Sequence, residues 1–114
     1  MPSRDLRVGI AGLGGAARLV LPYFSQVPGV KLAGAADLRP DARAAFTAEF
    51  SAPAFDSVAA LAASDIDAMW IETPNHLHCE HALTAIAAGR HVICAKPIGV
   101  TLDECDRKIG RAHV

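Results

Sequence analysis

Three small residues, Gly12, Gly14 and Ala17, follow a short apolar run at the spacing G-x-G-x-x-A. At this spacing a tight turn, a close backbone approach to a ligand and close helix–strand packing each exclude a side chain. Helix-forming sequence comes next, and the unpaired N–H groups at the start of a helix attract an anion such as a pyrophosphate. The turn, including Gly15 and Ala16, therefore predicts a dinucleotide-binding site. The alternative is that these glycines only form a tight turn after the strand and bind no ligand.

An acidic residue stands where such a site requires one. Asp37 directly follows the apolar run at 30–36 and comes about 20 residues after the turn. A carboxylate there can accept both ribose hydroxyls of NAD and would repel the 2'-phosphate of NADP, so NAD is the predicted cofactor. NADP remains the alternative cofactor because of Arg39, which can stack on adenine, pair with a phosphate or stay solvated. Asp37 can instead cap the helix that Pro40 begins.

The composition argues against several other classes of protein. A chain of 114 residues forms one domain, and a formal net charge of -1 gives no electrostatic case for binding nucleic acid or a membrane surface. No apolar run approaches the roughly 18 residues of a membrane span, and the first six residues lack the apolar core of a signal peptide. We therefore expect a cytoplasmic protein whose partner is a small molecule.

The cysteine and histidine residues do not follow a metal-binding pattern. Three cysteines without a C-x-x-C pair fit buried thiols in a reducing compartment. His76, His78, Cys79 and His81 are close in sequence, but on a helix only His78 and His81 share a face. Because no H-E-x-x-H motif accompanies them, no metal site is predicted.

Apolar strands alternate with helices along the chain. Strands are predicted at 8–13, 30–36, 53–55, 67–72 and 91–95. Helices are predicted at 15–26, at 41–50, in a brief stretch capped by Asp56 or Ser57, and at 76–88 with Asn75 as the cap. Pro22 predicts a kink or local opening in the first helix, and a T-x-x-E capping box at 101–104 opens a further one.

The short connections allow only a doubly wound, mostly parallel Rossmann-type sheet, of which five strands are present. In such a sheet, ligands bind beyond the carboxyl ends of the strands. The glycine turn, Asp37, the segment 73–75 and the Lys96-Pro97 pair all fall at that edge. The predicted site therefore draws on four separate loops.

Four motifs, in this order and spacing, resemble the N-terminal half of the Gfo/Idh/MocA oxidoreductases. They are GLGGAA, Asp37, TPNHLH at 73–78 and the Lys96-Pro97 pair, and the resemblance extends over about residues 6 to 108. It implies hydride transfer between nicotinamide and a hydroxyl-bearing carbon of a sugar, cyclitol or dihydrodiol. The chain is then the cofactor-binding part of an NAD(P)-dependent enzyme.

The resemblance also implies roles for individual residues. Lys96 matches the lysine that holds the reacting hydroxyl and tunes its proton transfer, and Pro97 follows it in the same cofactor-binding motif. The segment 73–75 (Thr73, Pro74, Asn75) matches the loop on the nicotinamide side. His78 matches the histidine that closes that motif, which makes it a further candidate for catalysis.

Two residues depart from the family pattern. Ala95 stands where glutamate usually precedes the Lys-Pro pair, and Glu72 stands where a small residue is usual before Thr-Pro. Since the strands ending at these positions are neighbours in the family's sheet, we hypothesise that the Glu72 carboxylate replaces the missing glutamate beside Lys96. The alternative is a surface glutamate at a strand end.

The last six residues, IGRAHV at 109–114, do not continue the apolar period of the preceding helix. A common short-read sequencing adapter, AGATCGGAAGAGCACACGTCTGA, encodes this hexapeptide before a stop, so a non-native tail is expected there. Residues 1–108 would then be part of an NAD(P)-binding domain whose sixth strand and substrate domain are absent. We expect this chain to be inactive by itself and its parent to be a homo-oligomer. A non-catalytic dinucleotide-binding or sensor module is the alternative, favoured by Ala95.

Overall fold

The computed structural model describes residues 5–94, apart from the side chains of Asn75 and Cys94. Several predictions lie outside this part of the chain, namely those for Ala95, Lys96, Pro97, the capping box at 101–104 and the tail at 109–114.

Within residues 5–94, five strands and four helices alternate in sequence. The strands are β1 Leu6–Ala11, β2 Val30–Ala36, β3 Ala54–Phe55, β4 Ala68–Ile71 and β5 His91–Cys94. The helices are α1 Gly15–Val20, α2 Pro40–Phe50, α3 Val58–Ala63 and α4 Asn75–Ala87, and a 3-10 segment, Leu21–Gln26, extends α1. All the strands pair in parallel, in the order β3-β2-β1-β4-β5. The predicted doubly wound α/β fold is confirmed.

Apolar side chains cover both faces of the sheet, which explains why the strands are nearly continuous apolar runs. On one face the buried core is formed by β1, α1, the 3-10 segment and α2, and includes Val8, Ile10, Phe24 and Phe46. On the other face it is formed by β4, α3 and α4, and includes Leu61, Met69, Ile71 and Ala85. Within residues 5–94, each helix is too short or too polar to traverse a lipid bilayer.

Pro22 changes the geometry of the first helix. The segment predicted as one helix at 15–26 is α-helical only as far as Val20 and continues as a 3-10 helix from Leu21. Proline has no N–H to donate and its ring clashes with the preceding turn, so it is accommodated at the start of the new segment. The predicted local opening is confirmed, and the buried Phe24 keeps the segment packed on the sheet.

Some predicted boundaries were wrong by a residue or two. Leu13 lies in the turn after β1 rather than in the strand. Asn75 is the first residue of α4 and not its cap, because Pro74 is the residue that precedes the helix. Ser57 caps α3 as one of the two predicted candidates, since its hydroxyl accepts a hydrogen bond from the Ala60 amide at 3.1 Å.

Cys79 also differs from its predicted state. Its side chain is buried and belongs to a disulfide, whereas the sequence predicted a free buried thiol. The two other cysteines, Cys94 and Cys105, have side chains outside the described part of the chain. The prediction of a free thiol is therefore wrong for Cys79, and the argument for a reducing compartment does not extend to this residue.

Gly9 and Gly34 are partners across β1 and β2, and both approach the same methyl group of Leu61. A Cβ on Gly9 would lie 2.7 Å from Cδ1 of Leu61, whereas one on Gly34 would lie 3.3 Å from that atom. Because Leu61 is fully buried, we expect Gly9→Ala to overpack the core and to lower the free energy of unfolding by about 1–3 kcal/mol. Gly34→Ala should cost less. Urea denaturation measures both, and equal costs would contradict this packing.

Candidate functional site

A cleft of about 770 Å³ opens at the carboxyl ends of the strands. Its walls come from the turn after β1, the residues after β2, the start of α3, the residues after β4 and one face of α4. The cleft brings together most of the residues singled out from the sequence, namely Gly12, Gly14, Gly15, Ala16, Asp37, Arg39, Glu72, Thr73 and Pro74. In the sheet, β2 and β3 lie on one side of β1, and β4 and β5 lie on the other. The cleft lies at the point where the chain changes direction across the sheet, which is where open parallel sheets bind ligands.

The three glycines of the turn have different surroundings. Gly12 has a φ of +97°, and a Cβ there would lie 3.0 Å from the backbone of Glu72 and Thr73. A Cβ on Gly14 or Gly15 would meet no atom of residues 5–94 within 4 Å. Gly12 is therefore required by the close approach of the turn to the end of β4, whereas Gly14 and Gly15 leave the cleft open. The turn fits a pyrophosphate, which needs this open space and close backbone amides.

The Asp37 side chain holds the glycine turn. Its Oδ2 accepts a hydrogen bond from the Leu13 amide at 2.8 Å, and its Oδ1 accepts one from the Arg39 amide at 2.9 Å. The Arg39 guanidinium also donates to both oxygens, with Nε 3.0 Å from Oδ1. Arg39, not Asp37, is the residue that precedes α2, and among the described residues no side chain caps that helix. The alternative reading of Asp37 as a helix cap is therefore wrong.

These contacts fix the charge of Asp37. Partial burial acts to raise the pKa of this carboxyl, but the hydrogen bonds from Arg39 and from the Leu13 amide outweigh it and lower the pKa to about 2. The carboxylate is therefore ionised at neutral pH.

Two histidines of α4 hold Thr73, which follows β4. His78 donates from Nε2 to the Thr73 carbonyl oxygen, and Nδ1 of His81 forms a hydrogen bond with the Thr73 hydroxyl at 2.8 Å. Since the two histidines are three residues apart, they lie on one face of the helix. His78 is buried behind the loop and does not line the cleft, so its position differs from that of a residue in contact with a ligand.

His81 does line the cleft, although the sequence suggested it only as an unsuitable metal ligand. Burial lowers the pKa of His81 below its ordinary value, against the opposing charge of Glu80. The ring is therefore neutral at neutral pH. The feature of the sequence that could have identified His81 was its three-residue spacing from His78. Within residues 5–94, no three histidine, cysteine or acidic side chains are grouped as a metal site.

Glu72 is held by the only tryptophan of the chain. Its Oε2 accepts a hydrogen bond from the Trp70 indole at 2.6 Å, and the Trp70 ring packs edge-on against Phe24 with centroids 5.7 Å apart. Glu72 also lines the cleft, so it is more than a solvated glutamate at a strand end. Its proposed contact with Lys96 lies outside the described residues.

The remaining lining residues were not predicted from the sequence. They are mainly apolar and include Leu13, Leu38, Val58, Ala59 and Leu77, with Asp56, Ser57, Glu80 and Thr84 among the polar ones. Nothing in their spacing marks them, because they come from α3, α4 and three loops that meet only in the folded chain.

A parallel sheet in the order β3-β2-β1-β4-β5, with a glycine turn after β1 and a carboxylate after β2, defines a dinucleotide-binding domain of the Rossmann class. Residues 6–113 match the family model of the Gfo/Idh/MocA oxidoreductases, described as an oxidoreductase family with an NAD-binding Rossmann fold. The chain belongs to this family.

Individual relatives agree with the family match. The chain is 38% identical over 104 residues to a 1-carboxy-3-chloro-3,4-dihydroxycyclohexa-1,5-diene dehydrogenase of Comamonas testosteroni, which covers 90% of this chain and 26% of the relative. The WlbA dehydrogenase of Bordetella pertussis, solved with NADH and UDP-GlcNAcA, superposes with a TM-score of 0.81 at 29% identity, over 93% of this chain and 34% of that one.

A third relative was solved with the other dinucleotide. KijD10, a 3-ketoreductase of Actinomadura kijaniata in complex with NADP, superposes with a TM-score of 0.81 at 29% identity, over 93% of this chain and 33% of that one. The chain thus spans about a quarter to a third of the length of these relatives.

The contacts of Asp37 predict an acid-sensitive contribution to stability. Because its pKa is about 2 in the folded chain and 3.8 ordinarily, this contribution is complete above about pH 4 and is lost as the pH falls towards 2. We expect Asp37→Asn to lower the free energy of unfolding at pH 7 by about 1–2 kcal/mol, allowing for solvent screening, and the deficit to shrink towards pH 2. Urea denaturation across this pH range measures it.

The matched control is Asp41→Asn, which removes a carboxylate from the first turn of α2. The Leu13 amide does not depend on that carboxylate, because it donates to Asp37. An equal, pH-dependent deficit in both variants would contradict the role assigned to the Asp37 contacts.

Proposed function

We propose that this chain binds NAD in the cleft, as the cofactor-binding part of a dehydrogenase acting on a hydroxyl-bearing carbon. The observation that carries the proposal is the hydrogen bond between the Leu13 amide and the Asp37 carboxylate, 2.8 Å long. It joins the turn suited to a pyrophosphate to the acid suited to a ribose, so both are placed for one ligand.

Each part of the cleft suits one part of the dinucleotide. The backbone around Gly12, Gly14, Gly15 and Ala16 would hold the pyrophosphate, and Asp37 would accept the hydroxyls of the adenosine ribose. The loop at 73–75 would line the nicotinamide side. The bound nicotinamide would supply a hydride acceptor or donor. His78 and His81 would act on this side by fixing Thr73, because both bond to it.

The charge of Asp37 supports NAD over NADP as the main cofactor. An ionised carboxylate accepts hydroxyl hydrogens and repels a 2'-phosphate. The low pKa of Asp37 keeps this carboxylate charged over the whole physiological range. Among the described residues that line the cleft, Arg39 is the only lysine or arginine, and it is already paired with Asp37.

For the substrate we propose a ring compound with neighbouring hydroxyl groups, such as a cyclitol or a dihydrodiol. The name of the Comamonas relative, a dihydroxycyclohexadiene dehydrogenase, supports this class. Lys96 would hold the reacting hydroxyl, by its resemblance to the family's lysine. Because the chain spans about a quarter of that relative, we propose that it binds the cofactor without turning over a diol by itself.

Substitutions in the glycine turn separate cofactor binding from folding. Gly14 has an ordinary φ of −79° and open space around its Cα, so Gly14→Ala should leave the urea midpoint nearly unchanged. The new methyl group would enter the cleft, and we expect the dissociation constant for NADH to rise at least about tenfold, since the pyrophosphate needs close contact with the backbone. Quenching of Trp70 fluorescence by NADH measures the affinity.

Gly12→Ala is the contrasting variant. A Cβ at φ +97° would be strained and would lie 3.0 Å from the β4 end, so this change should lower stability by about 1–2 kcal/mol or more. An unchanged NADH affinity in a folded Gly14→Ala chain would count against NAD binding at this turn.

A further inference from the structure

The Asp37 carboxylate is fully occupied by hydrogen bonds from the protein itself. Oδ1 accepts from the backbone N–H and Nε of Arg39, at 2.9 and 3.0 Å. Oδ2 accepts from the Leu13 amide at 2.8 Å and from a terminal nitrogen of Arg39 at 3.2 Å. A carboxylate has about four lone-pair positions, so a ribose diol finds no free acceptor here.

The four donors differ in how easily their hydrogen bonds to the Asp37 carboxylate can break. The two backbone amides are fixed, because Leu13 belongs to the glycine turn and the loop after β2 is held by Arg43, which donates to the carbonyl oxygens of Asp37 and Leu38. The Arg39 side chain is 57% exposed, and the guanidinium can therefore rotate into solvent. Asp37 is only 10% exposed, so its carboxylate stays where it is.

We propose that the Arg39 guanidinium is a latch on the Asp37 carboxylate, which a ribose diol must displace before NAD binds. The inference rests on the proposed function, since it needs a dinucleotide in the cleft. An incoming ribose diol displaces the guanidinium from Asp37, so Arg39 competes with NAD for its own binding residue. A 2'-phosphate would pair with the displaced guanidinium, whereas a hydroxyl would not.

The latch makes a counterintuitive prediction, because removing a cation should strengthen the binding of an anion. An exposed ion pair that must be broken weakens binding only modestly, so we expect Arg39→Gln to bind NADH about 2- to 5-fold more tightly than the wild type. The same variant should bind NADPH at least about tenfold more weakly relative to NADH, because the partner of the 2'-phosphate is lost. Titration of Trp70 fluorescence with each dinucleotide measures both in the 114-residue chain.

Two control variants separate the latch from general charge effects. Arg18→Gln removes the same charge from α1, where Arg18 pairs with Glu49 outside the cleft, and should not strengthen NADH binding. Arg39→Lys keeps the charge but loses the paired contact with both carboxylate oxygens, so its NADH affinity should lie between those of the wild type and Arg39→Gln.

A second readout does not need the cofactor. The pKa of Asp37, followed by carboxyl-carbon NMR, should rise from about 2 towards its ordinary value in Arg39→Gln, since the guanidinium bonds lower it. An unchanged Asp37 pKa, or NADH binding that is unchanged or weaker in Arg39→Gln, would overturn the latch and leave cofactor binding intact. Failure of the wild type and of every variant to bind either dinucleotide would overturn the proposed function, and the latch with it.

Discussion

The hydrogen bond from the Leu13 amide to Asp37 connects two loops that are separate in sequence. One loop leaves β1 and the other leaves β2, and the parallel pairing of these strands brings their carboxyl ends to the same edge. A turn rich in glycine has many accessible backbone conformations, so an unbraced turn would lose much entropy on binding a ligand. The carboxylate reduces that loss because it orders the turn before the ligand arrives. The same acid thus prepares the turn and remains suited to a ribose.

The backbone of the turn is also fixed between β2 and the end of β4. Gly12 donates to the Ala36 carbonyl at 2.8 Å, while the Glu72 amide donates to the Ala11 carbonyl at 2.8 Å. Only a glycine allows this approach, because a Cβ would collide with the backbone of Glu72 and Thr73. Thr73 is in turn held through its carbonyl and its hydroxyl by the histidines of α4. The cleft is therefore ordered by short contacts that run continuously from β2 to α4.

Much of this arrangement follows from local sequence patterns, and the remainder depends on contacts that local patterns do not contain. The glycine spacing, Asp37 and the alternating apolar runs predicted the sheet and the place of the cleft, because each reflects a backbone constraint that a few residues determine. The partners of Asp37 could not be predicted, since the Leu13 amide comes from a loop 24 residues away. His78 and His81 illustrate the same limit. Their shared helical face was evident, but their common partner, Thr73, depends on how α4 packs against the end of β4.

The charges around the cleft indicate that its selectivity between dinucleotides does not come from overall electrostatic attraction of the anion. The described lining includes four carboxylates, from Asp37, Asp56, Glu72 and Glu80, and one guanidinium, that of Arg39. Such a lining repels an anion at long range, so affinity for a dinucleotide must come from backbone amides at close range and from charges elsewhere in the protein. Pairing Arg39 with Asp37 reduces the repulsion locally, and it also withholds the carboxylate from a ribose until the guanidinium moves. Discrimination between dinucleotides then depends on the exchange of one exposed side chain rather than on the net charge of the cleft.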